Sequence, residues 1–337
     1  PGPKSIGKTF FNNKIKEIIG SRVTILSVDD FFKDKKFNPK MLYKAYQECQ
    51  LNSLEKLLEK DNQIVLIDNT FSEMWQMKVF AEISKACNAN FIVQPIVPDL
   101  WLTSEIINEE LIDILEKTCK GRSRITDKEQ VTNWREIITN SIKKSREDLE
   151  KNANNKLEEW CNIETIINSI SPIKPRYGVI NKGCVMINSQ VFDNEAKKYL
   201  DVLNSVNDCE WIKAGSLRAD IRDGFCKHIT LLNYKVAKKL GKRKVNDFIE
   251  KAKKLDPKDA IPLGIGTKEG WASKNNIKSQ AYYIVYKWDQ LEALLEEFDA
   301  PKVYPHVTLA FDKGGDVFVE LDKKTPIKKN EETIIFK

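Results

Sequence analysis

The stretches FCKHITLL (residues 225–232) and YPHVTLAF (residues 304–311) contain the only two histidines of this 337-residue chain. Each histidine stands two positions before a threonine and opens an apolar, β-prone run. Residues i and i+2 of a β-strand lie on the same face, so each histidine should point the same way as its threonine. Two such strands side by side would place two imidazoles and two hydroxyls around one small cavity.

The side chains of these two His-x-Thr frames are His228, Thr230, His306 and Thr308. Imidazole titrates near neutral pH, so one ring can accept a proton while the other donates one. The threonine hydroxyls can hold the oxygens of a phosphate between them. This combination predicts a phosphodiester-cleaving site that requires no metal. Two unrelated histidines are the alternative, but the repeated frame uses every histidine of the chain and suits one motif in each half of a small domain.

The paired frames resemble those of the 2H phosphoesterases, a family that cuts 2′,3′-cyclic phosphates and related esters. The resemblance covers roughly residues 175–337 and implies an α+β domain of two pseudo-symmetric lobes. It also implies that one histidine activates water while the other protonates the departing ribose 3′-oxygen, which leaves a 2′-phosphate. On this resemblance His306 is the general base and His228 the general acid, and the phosphodiesterase needs no cofactor.

A second motif lies at the start of the chain, where residues 2–9 read GPKSIGKT. This matches GxxxxGK[ST], the P-loop, in which backbone N–H groups surround phosphates. Lys8 would contact the β- and γ-phosphates, and Thr9 would bind Mg²⁺. Apolar spacing predicts a helix over residues 10–19, as phosphate binding at a helix N-terminus requires. No strand precedes the motif in this sequence, so an incomplete nucleotide site is the alternative. The predicted nucleotide-binding residues here are Gly2, Ser5, Gly7, Lys8 and Thr9.

Two apolar runs farther along each end in acidic residues. Residues 23–31 read VTILSVDDF and residues 63–70 read QIVLIDNT. In an open parallel sheet the ligand lies beyond the carboxyl ends of the strands, so Asp29 and Asp68 would emerge beside the phosphate loop. A simple helix N-cap is the alternative for each aspartate.

In this order, the P-loop and the two strand ends resemble the polynucleotide 5′-kinases. By the family pattern Asp-x-aromatic, Asp29 rather than Asp30 accepts the proton of the RNA 5′-hydroxyl. The triplet Asp68, Asn69 and Thr70 would lie near the metal and the RNA acceptor. The resemblance implies ATP or GTP as phosphoryl donor and Mg²⁺ as cofactor.

Further basic and aromatic side chains are candidates for nucleotide or RNA contacts. Arg122 and Arg124 lie in a basic turn where such kinases carry a lid, and would stabilise charge on the transferred phosphoryl group. A solvated basic turn is the alternative for this pair. Arg218 and Arg222 precede the first His-x-Thr strand and are predicted to clamp phosphate oxygens. Tyr304 is predicted to stack on a base, although such a ring is more often core.

Composition is typical of a folded intracellular chain. Hydrophobic residues make up 41% and charged residues 31% of the sequence, and no apolar run approaches the roughly 20 residues that span a bilayer. The seven cysteines are scattered and never form a CxxC pair, which indicates reduced thiols. We expect a cytoplasmic or nuclear protein without a membrane partner. A net charge of +6 favours polyanionic substrates.

Residues 171–175 (SPIKP) interrupt a long helical pattern and mark a domain boundary. We predict an α/β P-loop kinase-like domain over residues 1–170 and an α+β 2H cyclic phosphodiesterase domain over residues 171–337. Joined in this order, they resemble the healing module of fungal-type tRNA ligases and the related myelin cyclic nucleotide phosphodiesterase.

This resemblance implies an enzyme that acts on RNA with 2′,3′-cyclic phosphate and 5′-hydroxyl ends, as in tRNA splicing or RNA repair. It would open the cyclic phosphate and phosphorylate the 5′-hydroxyl with a nucleoside triphosphate. A separate RNA ligase domain or protein would then seal the ends. Two alternatives stay open: a phosphodiesterase whose P-loop half only binds nucleotide or a partner, and a non-catalytic RNA-binding scaffold.

Overall fold

The computed structural model describes residues 8–59, 63–94, 112–113, 116–117, 134–154, 156–171, 177–206, 210–271, 278–301 and 305–312. The chain divides into two compact units, Pro1–Ile173 and Lys174–Lys337. Each unit combines helices with a β-sheet, so the mixed α/β class agrees with the sequence prediction. Within the described ranges, no helix has the length and apolar character needed to cross a membrane.

The first unit contains a parallel pair of short strands, β1 (Val23–Leu26) and β2 (Ile64–Ile67). Helix α1 (Lys8–Ile19) precedes β1, and helix α2 (Leu42–Leu58) connects the two strands. A parallel pair needs such a crossover because the chain must return to the same end of the sheet. The carboxyl ends of both strands therefore lie at one edge, where the acidic residues follow them.

Four more helices complete the described part of this unit: α3 (Lys78–Ala86), α4 (Trp134–Ala153), α5 (Leu157–Trp160) and α6 (Ile163–Asn168). The buried carboxylate of Asp148 joins α4 to α5 and to the segment before α3, because it accepts hydrogen bonds from the indole N–H of Trp160 (2.7 Å) and the backbone N–H of Met74 (2.8 Å). The sequence also predicts a third strand over residues 91–97. That prediction is wrong for residues 91–94, which pair with neither described strand; the remainder lies outside the described residues.

The second unit contains two three-stranded antiparallel sheets. The first has the order β3 (Gly178–Asn181), β4 (Val185–Asn188), β5 (His228–Leu232), and the second has the order β6 (Ile261–Trp271), β7 (Lys278–Lys287), β8 (His306–Phe311). Among the described strands, each His-x-Thr strand thus lies at an edge of its sheet. The two edge strands, β5 and β8, contact each other. This gives two similar lobes that meet along the strands carrying the histidines.

Four helices pack around these sheets: α7 (Gln190–Val206), α8 (Glu210–Asp223), α9 (Tyr234–Ala252) and α10 (Asp289–Glu297). Gly241 interrupts α9 with a φ of 78°, which glycine adopts without strain. Ile229 from β5 and Val307 from β8 belong to one hydrophobic core, and both are fully buried. Because burial alternates along each strand, the flanking histidines and threonines lie on the opposite, partly exposed face.

Helix α8 has no counterpart among the sequence predictions. Small and apolar residues lie on all its sides, so it lacks the one-sided apolar stripe that identifies a surface helix. Gly215 lets it approach β8 closely, since a Cβ there would lie only 2.8 Å from the carbonyl oxygen of Phe311. The last turn of α8 is thereby held beside both His-x-Thr strands.

Candidate active site

The structure brings the two His-x-Thr frames onto neighbouring strands. His228 is the first residue of β5 and His306 the first residue of β8. A direct link joins the frames, because the ammonium of Lys227 lies 3.4 Å from the carbonyl oxygen of Thr308 and donates a hydrogen bond to it. Two imidazoles and two threonines are therefore presented on adjoining edges of the two lobes.

An ion pair at the end of α8 lies next to His228. Asp223 accepts two hydrogen bonds from Arg222, at 2.6 Å from Nε and 2.9 Å from Nη2. Its Oδ2 is 3.8 Å from Nδ1 of His228, and its side chain is only 6% exposed. The carboxylate is therefore fixed in place within a short movement of the imidazole.

The surroundings of His228 lower the pKa of its imidazole. Burial is the main cause, since it disfavours the charged ring, and the cations Arg222, Lys227 and Lys182 act in the same direction. The carboxylate of Asp223 opposes them. Burial would raise the pKa of Asp223 itself, but the adjacent guanidinium of Arg222 outweighs this and lowers it, so Asp223 is charged at neutral pH.

Lys227 is held by a second set of acidic groups. Its ammonium lies 2.7 Å from Oδ1 of Asp220, and its backbone N–H donates to Asp193 at 2.7 Å. Asp193 also accepts a hydrogen bond from the hydroxyl of Tyr177 at 2.8 Å. Burial raises the pKa of Asp220, and the ammonium of Lys227 works against that rise. These contacts fix the start of β5, and with it the position of His228.

An aromatic ring supports the second histidine. The ring of Tyr283 on β7 meets that of His306 edge to face, with 5.7 Å between ring centroids. Gly266 on β6 is paired with Tyr283 and leaves the space that its ring occupies. The Tyr283 hydroxyl lies 3.4 Å from the carbonyl oxygen of Thr267. Neither Tyr283 nor Asp223 is among the residues predicted from the sequence.

The arginines predicted to clamp phosphate have other partners in the structure. Arg218 is buried, at 3% exposed. Arg222 is occupied by Asp223, and its guanidinium carbon lies 5.0 Å from the ring centroid of Phe311, the last residue of β8. RNA binding by either arginine stays a prediction. Tyr304 lies outside the described residues.

In the first unit, the residues after the glycines of the predicted P-loop contact the end of β2. Lys8 and Thr9 begin α1, and the hydroxyl of Thr9 donates a hydrogen bond to Oδ2 of Asp68 at 2.6 Å. Hydroxyl and carboxylate oxygens are hard ligands that Mg²⁺ prefers, so this pair fits that ion. Asn69 is buried and accepts a hydrogen bond from the backbone N–H of Val28 at 3.0 Å, while Thr70 is partly exposed.

The two aspartates after β1 differ in their surroundings. Asp30 accepts a hydrogen bond from the backbone N–H of Ser27 at 3.0 Å and pairs with Lys33 at 2.7 Å. The side chain of Asp29 is exposed and forms no hydrogen bond or ion pair with other described residues. Asp29 is thus the more exposed of the two carboxylates, and its assignment as the base stays a prediction. The remaining predicted nucleotide-binding residues, Gly2, Ser5, Gly7, Arg122 and Arg124, lie outside the described residues.

The two His-x-Thr strands thus lie on adjoining antiparallel sheets of the second unit. Residues 196–318 match the family model described as Swiss Army Knife, 2H phosphoesterase domain. The matched range includes both histidine strands, α8 and the second sheet. The second unit therefore contains a 2H phosphoesterase domain. No curated protein and no solved structure matches this chain.

Proposed function

We propose that the second unit hydrolyses 2′,3′-cyclic phosphate ends of RNA to 2′-phosphate ends. The observation that carries this proposal is the contact between the two His-x-Thr edge strands, joined through Lys227 and the carbonyl of Thr308. A phosphate on the exposed face of these strands would find two imidazoles for proton transfer. It would also find two hydroxyls that donate hydrogen bonds to its non-bridging oxygens.

Hydrolysis then proceeds in line at phosphorus. His306 accepts a proton from water as the new P–O bond forms, and His228 donates a proton to the ribose 3′-oxygen as its bond to phosphorus breaks. One water is consumed, and each imidazole finishes in the other's starting protonation state, so one proton exchange with solvent resets the site. The lowered pKa of His228 makes its imidazolium a stronger proton donor than a free imidazolium, which suits protonation of a departing alkoxide.

An exposed group of cations on α9 supports RNA, rather than a mononucleotide, as the substrate. This α9 basic surface consists of Lys238, Lys239, Lys242, Arg243 and Lys244. None of the five forms an ion pair with another residue in the part of the chain that the structure describes. Clustered cations that are not neutralised by carboxylates attract the phosphates of a polynucleotide.

We propose further that the first unit phosphorylates 5′-hydroxyl RNA ends. The hydrogen bond between Thr9 and Asp68 supports this, since it joins the helix after the P-loop to the carboxyl end of β2. Mg²⁺ bound there would neutralise charge on the nucleotide phosphates. Lys8 would hold the transferred phosphoryl group, and the exposed Asp29 would accept the proton of the RNA hydroxyl.

A P-loop half that binds only nucleotide or a partner is the alternative for the first unit. Exposed apolar side chains on α1 favour it, since Phe10 is 66% and Ile18 is 82% exposed. A partner surface would cover such residues. Transfer of the γ-phosphate to RNA distinguishes the two possibilities, because the alternative allows binding without transfer.

A single reaction tests both activities. The full chain is incubated with RNA that carries a 5′-hydroxyl and a 2′,3′-cyclic phosphate, with and without nucleotide and Mg²⁺. We expect a 2′-phosphate end in every reaction and a 5′-phosphate only with nucleotide and Mg²⁺. A 3′-phosphate product, or an unopened ring, would contradict the proposed phosphodiesterase. An unchanged 5′-hydroxyl would contradict the kinase and favour the alternative.

A further inference from the structure

The last turn of α8 contacts both strands that carry the histidines. Asp223 reaches His228 at the start of β5, and Arg222 packs on Phe311 at the end of β8. Because Arg222 also holds both carboxylate oxygens of Asp223, one side-chain pair spans the two lobes. The fold places this pair firmly, since Gly215 lets α8 lie against the backbone of β8.

We propose that Asp223 is a positioning residue of the phosphodiesterase, an inference that rests on the function proposed above. Its carboxylate orients the ring of His228 through Nδ1 and leaves Nε2 for the ribose oxygen. The present 3.8 Å separation needs only a short contraction to become a hydrogen bond, and catalytic hydrogen bonds often tighten when substrate binds. Arg222 keeps the carboxylate from turning away.

The charges around His228 explain why the carboxylate of Asp223 matters. Arg222 on α8, Lys227 before β5 and Lys182 in the turn between β3 and β4 all disfavour the imidazolium, as does burial. Asp220, the other nearby carboxylate on α8, is paired with Lys227. Asp223 is thus the group that supports the protonated ring from which His228 donates its proton.

The presence of only two histidines makes the proposal directly measurable. An NMR titration of the full chain should show two imidazole signals, which His306→Ala assigns. We expect Asp223→Asn to lower the pKa of His228 further and to leave that of His306 unchanged. Arg222→Gln should shift the pKa of His228 upward, because it removes a cation and leaves Asp223 less neutralised.

The matched control is Asp247→Asn, which makes the same charge change on the exposed face of α9. It should move neither titration. Kinetically, Asp223→Asn should lower kcat for a 2′,3′-cyclic nucleotide by about 10–100-fold, the loss seen when a metal-bound histidine loses its orienting carboxylate. KM should change little, because the proposed role of Asp223 is to orient His228 and not to bind the substrate.

The outcomes separate this inference from the proposed function. An unchanged or raised pKa of His228 in Asp223→Asn would overturn the positioning role, whatever the activity. If that variant does not fold, an unchanged or lowered pKa of His228 in Arg222→Gln overturns it instead. Failure of the wild-type chain to open cyclic phosphates would refute the proposed function and leave the titration result standing.

Discussion

Gly266 and Tyr283 provide a sharp test of how the second histidine is supported. An alanine Cβ at position 266 would lie 2.9 Å from Cζ of the Tyr283 ring and nearer still to Cε2. Carbon atoms pack at about 3.5–4.0 Å, so the ring must move by roughly 1 Å. Tyr283 is only 5% exposed, so its ring is surrounded by other side chains. Gly266→Ala should therefore disturb the contact between Tyr283 and His306.

Two magnitudes follow from this displacement. Overpacking of this kind lowers the free energy of unfolding by about 1–3 kcal/mol, which chemical denaturation measures. A catalytic group misplaced by about 1 Å loses about 10²-fold in rate, so kcat for a 2′,3′-cyclic nucleotide should fall by about that factor. Both quantities are measured on the same preparation of the variant.

A double variant serves as the control. Gly266→Ala combined with Tyr283→Leu removes the overlap, so its loss of stability should be smaller than the sum of the two single losses. Its kcat should stay low, because the ring that supports His306 is missing. If Gly266→Ala is destabilised as expected yet retains the wild-type kcat, the idea that Tyr283 positions His306 is refuted.

His228→Ala or His306→Ala should slow cyclic-phosphate opening by about 10²–10⁴-fold, because each removes a general acid–base group. EDTA should not slow the wild-type reaction, and hydrolysis of a cyclic mononucleotide measures both effects. Lys8→Ala or Asp29→Ala should abolish transfer of labelled γ-phosphate to 5′-hydroxyl RNA and leave cyclic-phosphate opening intact; wild-type transfer in either would reject the assigned kinase site. Glutamine substitutions across the α9 basic surface should weaken RNA binding and reduce its salt slope by about 0.7 per lost phosphate contact, without changing mononucleotide hydrolysis. An unaltered slope would exclude this surface from RNA binding. Asp223 has a lowered pKa in the folded state, so it contributes stability above the normal carboxyl pKa, and this is lost as pH falls through the lowered value. The free energies of unfolding of wild type and Asp223→Asn should therefore converge at acidic pH. A difference that persists there would contradict the idea that the charged carboxylate of Asp223 stabilises the fold.

The parts of the fold that sequence could predict are those set by local pattern. Alternation of polar and apolar residues predicts strands at both His-x-Thr frames, and β5 and β8 begin at the histidines themselves. The same period of two places Ile229 and Val307 in the core. The apolar runs in the first half likewise predict β1 and β2. Asp68, which follows β2, accepts a hydrogen bond from the hydroxyl of Thr9.

The parts that sequence missed depend on tertiary contacts. The buried residues of helix α8 are spread over more than one of its faces, so no single apolar stripe identifies the helix, and the sequence does not single out Asp223. The pairing of Arg222 with Asp223 is also not predictable from the sequence, because adjacent helical residues do not normally face each other. Nothing in the sequence distinguishes Tyr283 from other strand residues. Only the register of the sheet, which pairs it with Gly266, shows the space that its ring occupies.

The adjoining edges of β5 and β8 also bear on how this chain avoids self-association. An edge strand presents unpaired backbone N–H and C=O groups, which can template pairing with another molecule. Within the described sheets, each histidine strand has a ladder partner on one side only. Because the two edges lie against each other, each limits the access of a foreign strand to the other. The geometry that gathers the reacting groups thus also restricts pairing with a foreign strand at these two edges.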